Sequence, residues 1–248
     1  MTIHAIQVAD NERVAAVVSQ ILGELQTASD PCVLASLTHV GIPDEHAYGV
    51  SMAGIQSAAR HVIPDHQLAQ DLWNTGVYEA RIVAAMVDRP MWVTADQMEE
   101  WAGAFDSWAV CDAVCSTLFD RTPFAVGTAQ AWSSRDEEFV KRAGFVLMAV
   151  LAVHDKVKPD AEFEAFLPLI EAEAWDNRNY VRKAVNWALR QLGKRNLRLN
   201  ASARACAVRI QAQNTTAARW IAADALRELQ SPSVQARLER WSHDSKRP

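Results

Sequence analysis

The sequence predicts an all-α protein built from stacked pairs of helices, and three observations support this class. Apolar residues recur at helical spacing along most of the chain. Almost no stretch alternates apolar and polar residues with the period of two that strands require. The predicted helices come in pairs about every 35 to 45 residues, without a strict sequence repeat, which is typical of repeat proteins.

The first helices are marked by their apolar spacing and their caps. An amphipathic helix is predicted over 11–27, where valine, isoleucine and leucine recur at helical spacing. The segment 30–49 is rich in Pro, Gly and His and is predicted to be a loop with at most a short turn. Ser51 is expected to cap a second helix over 52–61.

The remaining helices follow similar signals. A helix after Pro64 should end at Gly76, the next should end before Arg89, which precedes a proline, and Thr94 should cap another. Further helices are predicted over 106–119, 123–132, 136–153, 160–173, 178–195, 200–212, 216–230 and 233–241.

Together these elements predict a HEAT-like solenoid, a superhelix whose inner helices form a concave wall, with a basic face in this chain. With 248 residues, half of them hydrophobic, the chain can bury a substantial core. We expect a single domain over 1–241 and a disordered tail over 242–248.

Cysteines and histidines exclude several classes of protein. The four cysteines lack CxxC spacing and the N-terminal residues lack a signal-peptide pattern, which favours reduced thiols in the cytoplasm. No apolar run approaches the roughly 20 residues that span a bilayer. The seven histidines are scattered, and the chain has neither a Gly-rich phosphate loop nor a nucleophile elbow. We expect a monomer without membrane contact, metal or cofactor.

Charge is distributed unevenly along the chain. The net charge is -5, but residues 1–174 carry -15, residues 175–209 carry +8 and residues 210–248 carry +2. Local concentration of charge, more than the total, sets the potential that a phosphate backbone would experience. A nucleic-acid partner is therefore compatible with an acidic protein.

The helix predicted over 178–195 lies in this basic segment. At 100° per residue, Val181, Val185, Ala188 and Leu192 line one side, while Lys183, Trp187, Arg190 and Lys194 line the other. An aromatic ring among cations, away from the apolar seam, suits a polyanion that also offers a flat or cationic group. A solvated face with one exposed tryptophan is the alternative interpretation.

Two other helices carry polar residues of interest. Trp108 and Asp112 are four residues apart in FDSWAVCDAVC, so the indole and the carboxylate share one helix face. Arg142 belongs to a helix that is apolar nearly all round, and a guanidinium there requires a carboxylate, such as Asp112, or a phosphate from outside. A purely structural role for each of these residues is the alternative.

At this point the chain resembles a known family, the AlkD-like DNA alkylation repair glycosylases, which are HEAT-like solenoids. The stretches that carry the resemblance are, in order, YGVSMAGIQ, DLWNTGVYEARIVAAM, FDSWAVCD, FVKRAGFVLM and NYVRKAVNWALRQLGK, covering roughly residues 48 to 195. The family's catalytic site matches this sequence at Trp108, Asp112, Arg142 and Trp187.

The resemblance implies excision of cationic N3- and N7-alkylated purines from duplex DNA, without extrusion of the base. Asp112 would stabilise the oxocarbenium ion and position a water molecule, and Trp108 and Trp187 would hold the sugar and the lesion. Arg142 would bind a phosphate beside the lesion. The side chains expected to bind the DNA backbone are Arg178, Arg182, Lys183, Arg190 and Lys194.

Two alternatives remain open at the level of the sequence. A non-catalytic binder of damaged or branched DNA would need the basic stripe but would not depend on Asp112. A HEAT-like scaffold that holds a peptide or helix would bind no DNA, and its protein binding would be insensitive to salt because it makes no phosphate contacts.

Overall fold

The computed structural model describes residues 3–244, with side chains over 11–241, and contains no strand within that range. The prediction of an all-α protein is confirmed. The helices are α1 (Ile3–Thr27), α2 (Pro31–His39), α3 (Met52–Arg60), α4 (His66–Asn74), α5 (Tyr78–Val87), α6 (Ala95–Gly103), α7 (Trp108–Thr117), α8 (Ala125–Trp132), α9 (Glu138–His154), α10 (Asp160–Glu164), α11 (Leu167–Ala172), α12 (Asn179–Gly193), α13 (Leu197–Ala212), α14 (Thr216–Leu229) and α15 (Pro232–Asp244), with a 3₁₀ turn at Phe119–Arg121.

The predicted caps are confirmed. The Ser51 hydroxyl accepts a hydrogen bond from the Gly54 amide at 3.3 Å, and the Thr94 hydroxyl accepts one from Gln97 at 3.1 Å. Gly76 follows α4 with φ of 72°, in the left-handed region where glycine is favoured. These helix boundaries therefore follow from local chemistry.

The predicted loop over 30–49 is wrong for residues 31–39, which form α2. Asp30 caps this helix by accepting a hydrogen bond from the Cys32 amide at 2.8 Å, and Pro31 occupies the first turn, where its missing N–H has no cost. An Asp-Pro pair is a helix-start signal in its own right. The abundance of Pro, Gly and His in the segment as a whole obscured that signal.

Other predicted boundaries also differ from the structure, most by one or two residues, and the helix predicted from residue 200 begins at Leu197. The helix predicted over 160–173 is divided into α10 and α11, because Pro168 lies in the first turn of α11 and cannot continue a preceding helix. The first helix begins at Ile3 and not at residue 11. The last extends to Asp244, into the predicted tail, whose residues 245–248 lie outside the described range.

The chain divides into two compact units, one up to Thr122 and one from Pro123. In the first unit α1 packs on α3 and α4, and α5 packs on α3, α4 and α7. Its core contains two parallel indoles, Trp73 and Trp101, whose ring centroids are 4.2 Å apart. The buried face of α7 packs against the hydrophobic core of this unit.

The second unit is organised around α9 and α12, which pack along each other. Every residue of α9 from Val140 to Ala152 is buried, as the near-continuous apolar sequence predicts. Gly144 permits close contact with α8, since a Cβ at this position would lie 2.7 Å from the Ser133 amide nitrogen. α12 also packs on α13 and α14, and α15 contacts both of these helices.

Candidate functional site

The first unit places Trp108 and Asp112 on consecutive turns of α7. Ser107 caps this helix by accepting a hydrogen bond from Val110, so Trp108 is its first residue. Both Trp108 and Asp112 are half-buried, whereas Val110 and Val114 are fully buried. The indole and the carboxylate therefore lie at the edge of the core on one helix face.

A hydrogen bond orients the Trp108 ring. Its indole N–H donates to the carbonyl oxygen of Val40 at 3.1 Å, and Val40 is the residue that ends α2. The end of α2, a helix not predicted from the sequence, thus fixes the ring of Trp108, which the sequence does single out. The two residues are 68 positions apart, a separation that no local pattern could link.

Asp112 is the only Asp, Glu, Lys or Arg in α7. The inner face of this helix carries two buried cysteines, Cys111 and Cys115. Burial, followed by the hydrogen bond with Cys111, raises the pKa of the Cys115 thiol well above its ordinary value. The Cys115 thiol is therefore protonated near neutral pH, and a protonated thiol is a poor nucleophile.

In the second unit, Arg142 lies between α9 and α12. Its side chain is almost completely buried, and one guanidinium nitrogen donates to the carbonyl oxygen of Tyr180 at 2.7 Å. The Tyr180 ring in turn contacts Phe139, with ring centroids 5.4 Å apart. The hydrogen bond to Tyr180 fixes the Arg142 guanidinium against the first turn of α12.

The predicted two-sided pattern of α12 is confirmed by burial. Val181, Val185, Ala188 and Leu192 are completely buried, whereas Trp187 is half-buried and Lys183 is exposed. Trp187 has neither a hydrogen bond nor a ring contact with any residue that the structure describes. Its indole is therefore not committed to the interior of the protein.

The other predicted backbone-binding cations of α12 make contacts within the protein. Every fourth residue along one side of α12 faces a matching series on α14. The α12 residues are Arg182, Asn186, Arg190 and Lys194, and the α14 residues are Trp220, Asp224 and Glu228. We refer to these seven residues as the α12–α14 ladder. Its contacts are Arg182 over the Trp220 ring, Asn186 to Asp224 at 2.7 Å, Arg190 to Asp224 at 3.1 Å and to Glu228 at 2.9 Å, and Lys194 to Glu228 at 2.7 Å.

Arg178 is held by a separate ion-pair network before α12. Its guanidinium bonds the Asp176 carboxylate at 2.6 Å and the Asp136 carbonyl oxygen at 2.6 Å. Burial raises the pKa of Asp176, but hydrogen bonds from Arg178 outweigh it and hold the pKa below the ordinary value. Among the five predicted backbone-binding residues, only Lys183 has no hydrogen bond, ion pair or ring contact with the described residues.

The four predicted catalytic residues are divided equally between the two units. Trp108 and Asp112 belong to the first unit, and Arg142 and Trp187 belong to the second. Each unit brings its own two residues onto one helix or onto two adjacent helices. Their assignment as one site remains a prediction.

Within residues 3–244 no helix is long and apolar enough to cross a membrane. The described side chains include no cluster of three or more His, Cys, Asp or Glu that could hold a metal ion.

Comparison with known proteins identifies the family. The model of the DNA alkylation repair enzyme family matches residues 21–229. No curated protein matches the chain. A solved structure from "a new family of proteins related to the HEAT-like repeat DNA glycosylases with affinity for branched DNA structures" matches with a TM-score of 0.71 and 17% identity, covering 85% of this chain and 94% of that one.

The structural match confirms the predicted HEAT-like fold. The family model covers well over half of the chain and includes the helices that carry Trp108, Asp112, Arg142 and Trp187. The chain therefore belongs to the DNA alkylation repair enzyme family.

Proposed function

We propose that the protein is a DNA glycosylase that excises cationic N3- and N7-alkylated purines, such as 3-methyladenine and 7-methylguanine, from duplex DNA. The observation that carries this proposal is the Trp108–Asp112 pair on α7. A half-buried carboxylate one turn from an oriented indole is suited to a cationic sugar intermediate, because both groups attract positive charge.

The chemistry requires little acid catalysis. Alkylation at N3 or N7 makes the base cationic, so the C1′–N bond breaks with its electron pair moving to the base, which leaves as a neutral molecule. The deoxyribose then has oxocarbenium character, which the Asp112 carboxylate stabilises electrostatically. Water adds at C1′ and transfers its proton to Asp112 or to solvent. Base and abasic sugar are the products.

Other side chains would hold the DNA around this step. Arg142, fixed by the Tyr180 carbonyl oxygen, would bind a phosphate beside the lesion. Trp187, uncommitted to the interior, would present its ring to the cationic base with the lesion still in or near the stack, and Lys183 would contact the backbone. Such a site would tolerate adducts of different size. A monomeric state and a cytoplasmic location stay predictions from the sequence.

A second candidate function is non-catalytic binding of damaged or branched DNA. The similar solved structure belongs to a family described as having affinity for branched DNA structures. In this case the α7 carboxylate would be unnecessary for function, and Asp112→Asn would leave all measurable activity intact.

The deciding experiment is release of free 7-methylguanine from duplex DNA by the native protein and by Asp112→Asn at equal DNA occupancy. We expect the substitution to slow release by about 10²–10³-fold, the usual effect of removing a group that stabilises transition-state charge. Asp96→Asn, which alters an exposed acid in the same unit, is the matched control and should release base normally. Salt-dependent DNA binding without any base release by the native protein would overturn the proposal and favour the second candidate.

A further inference from the structure

A cavity of about 660 Å³ lies entirely within the second unit. It forms where the C-terminal ends of α9 and α12 and the start of α13 approach α15. None of the four predicted catalytic residues lines it. Its charged lining residues are Lys156, Lys158, Lys194, Arg195, Arg237 and Asp160. Five cations and one acid give this cavity a strongly positive lining.

Three of the five cations are engaged by the protein. Lys158 forms an ion pair with Asp155 at 2.9 Å, and Lys194 forms one with Glu228 at 2.7 Å. The Arg195 guanidinium donates to the carbonyl oxygens of Ala152, Asp155 and Lys158, which closes the C-terminal end of α9. The lining carboxylate, Asp160, accepts hydrogen bonds from the Asn196 amide at 2.8 and 3.0 Å.

The other two cations have no carboxylate partner among the described residues. Lys156 is exposed on the loop after α9. Arg237 lies over the Trp241 ring, 5.1 Å from its centroid, and its buried Nε has no hydrogen-bond partner. The first residue of α13, Leu197, also lines the cavity, so the positive end of a 16-residue helix adds to the field. The cavity is therefore prepared for a bound anion.

An aromatic and apolar surface adjoins these charges. Trp241 is 48% exposed, and Leu197 at the start of α13 and the buried Leu238 continue the apolar wall. The volume lies within the range of pockets that hold small organic ligands. A ligand that fits this lining would place anionic oxygens beside Lys156 and Arg237 and a flat ring against Trp241. A phosphate joined to a nucleobase has both features.

We infer that this cavity binds a nucleoside phosphate, either as a free nucleotide or as the 5′-phosphorylated end of a DNA strand. The site does not include Asp112, so the inference holds whether or not the protein excises bases. It adds a second nucleotide-binding surface at a distinct place in the second unit.

The test is direct binding of dAMP to the full chain, measured by calorimetry, with inorganic phosphate and deoxyadenosine as separate ligands. We expect dAMP to bind more tightly than either half of the molecule. Lys156→Gln and Arg237→Gln should each weaken dAMP binding by roughly tenfold, because each removes a charge-assisted contact. Trp241→Leu should reduce the preference for dAMP over inorganic phosphate.

Arg240→Gln is the matched control, since Arg240 is exposed on the same helix but does not line the cavity, and it should bind dAMP normally. Unchanged circular dichroism would show that the variants fold. A 5′-phosphorylated octanucleotide that binds more tightly than dAMP, and loses this advantage without its phosphate, would identify a strand end as the ligand, whereas preference for dAMP would identify a free nucleotide. Absence of binding by both, or binding that Lys156→Gln and Arg237→Gln leave unchanged, would overturn the inference.

Discussion

At the scale of single residues, Glu79 shows how one side chain shapes the first unit. Its completely buried carboxylate accepts hydrogen bonds from the backbone amides of Tyr48, Gly49 and Val50, at 2.8–3.1 Å. Gly49 is confined there, because its φ is 78° and a Cβ would lie 2.7 Å from that of Leu34. One buried carboxylate therefore accepts hydrogen bonds from three consecutive amides of the connection from α2 to α3.

Glu79→Gln should lower the free energy of unfolding by about 2–4 kcal/mol. The glutamine NH₂ group is a donor and would face backbone N–H groups, so at least one buried N–H would lose its acceptor. Urea unfolding followed by circular dichroism measures the change. Glu100→Gln, at an exposed position of the same unit, should change the stability by less than about 0.5 kcal/mol. Equal stability of the two variants would show that the Glu79 hydrogen bonds are not important for folding.

Asp155 gives a residue-scale dependence on pH. Burial raises its pKa, but hydrogen bonds from the Lys158 amide and ammonium and from the Val157 amide outweigh burial and lower the pKa to about 2. Since the unfolded value is near 3.9, this carboxylate stabilises the fold above about pH 4, and the stabilisation is lost as the pH falls toward about 2.

Asp155→Asn should therefore be less stable than the native protein near neutral pH, by roughly 1–2 kcal/mol after allowance for solvent screening. The difference should shrink as the pH falls from about 4 toward 2. Denaturant unfolding at several pH values in this range provides the measurement. A difference that stays constant with pH would exclude the titration of Asp155 as its cause.

The residue scale also shows the limits of sequence analysis. The spacing of Trp108 and Asp112 places them on one face because consecutive helix turns repeat every 3.6 residues, and the structure agrees. The acceptor for the Trp108 indole could not be predicted, since Val40 belongs to a helix that the composition of its surroundings concealed.

At the scale of elements, the α12–α14 ladder changes the interpretation of the basic helix. Periodicity correctly predicts which side of α12 is buried, because burial follows the helical repeat within one element. It does not reveal that Arg190 and Lys194 face acids on α14, which lie 34 to 38 residues away in sequence. Periodicity identifies a polar face but not its partner.

This arrangement predicts different effects for two neighbouring cations. Lys183→Gln should leave stability unchanged but weaken DNA binding and reduce the slope of log K against log salt by about 0.9, the loss of one phosphate contact. Arg190→Gln should lower the free energy of unfolding by about 1 kcal/mol, because it leaves Asp224 and Glu228 facing each other without that cation, and should leave the salt slope unchanged.

Parallel thermal unfolding and salt titrations of duplex binding would measure both quantities on each variant. Arg219→Gln, an exposed cation on α14 outside the ladder, is the control for a general loss of positive charge. If Lys183→Gln lowered the stability and Arg190→Gln reduced the salt slope, the main role of Arg190 would not be its ion pairs in the α12–α14 ladder.

At the scale of the whole molecule, spatial pairing reduces the charge asymmetry that the sequence shows. Of the nine cations in 175–209, ion pairs with carboxylates engage Arg178, Arg190, Lys194, Arg198 and Arg209. Arg195 is bound to backbone carbonyl oxygens. Arg182, Lys183 and Arg204 have no carboxylate partner within residues 11–241. The net charge of +8 in this segment therefore overstates the charge available to DNA.

DNA binding should accordingly depend weakly on salt. The three cations of this segment without a carboxylate partner would contribute about -3 to the slope of log K against log salt, whereas eight would contribute about -7. Fluorescence anisotropy of a labelled duplex at several salt concentrations measures this slope. A slope near -7 would mean that DNA displaces the internal acids, and the ion pairs would then be a resting state of the binding surface.

The fold class could be predicted at this scale because helical spacing, caps and the absence of alternation agree along the chain. The assembly of the candidate site could not, since two of its residues lie in each compact unit and no periodic pattern relates one unit to the other.

One interval recurs in the bonds of the second unit. Arg142 to Tyr180, Asn186 to Asp224, Ser202 to Glu164 and Arg209 to Glu171 are each separated by 38 residues. Neighbouring repeats are thus joined by hydrogen bonds at a constant spacing, although their sequences are not alike. A segment of 38 residues is therefore the period of these contacts, and a tandem copy of such a segment would keep donors opposite acceptors even where the two sequences differ.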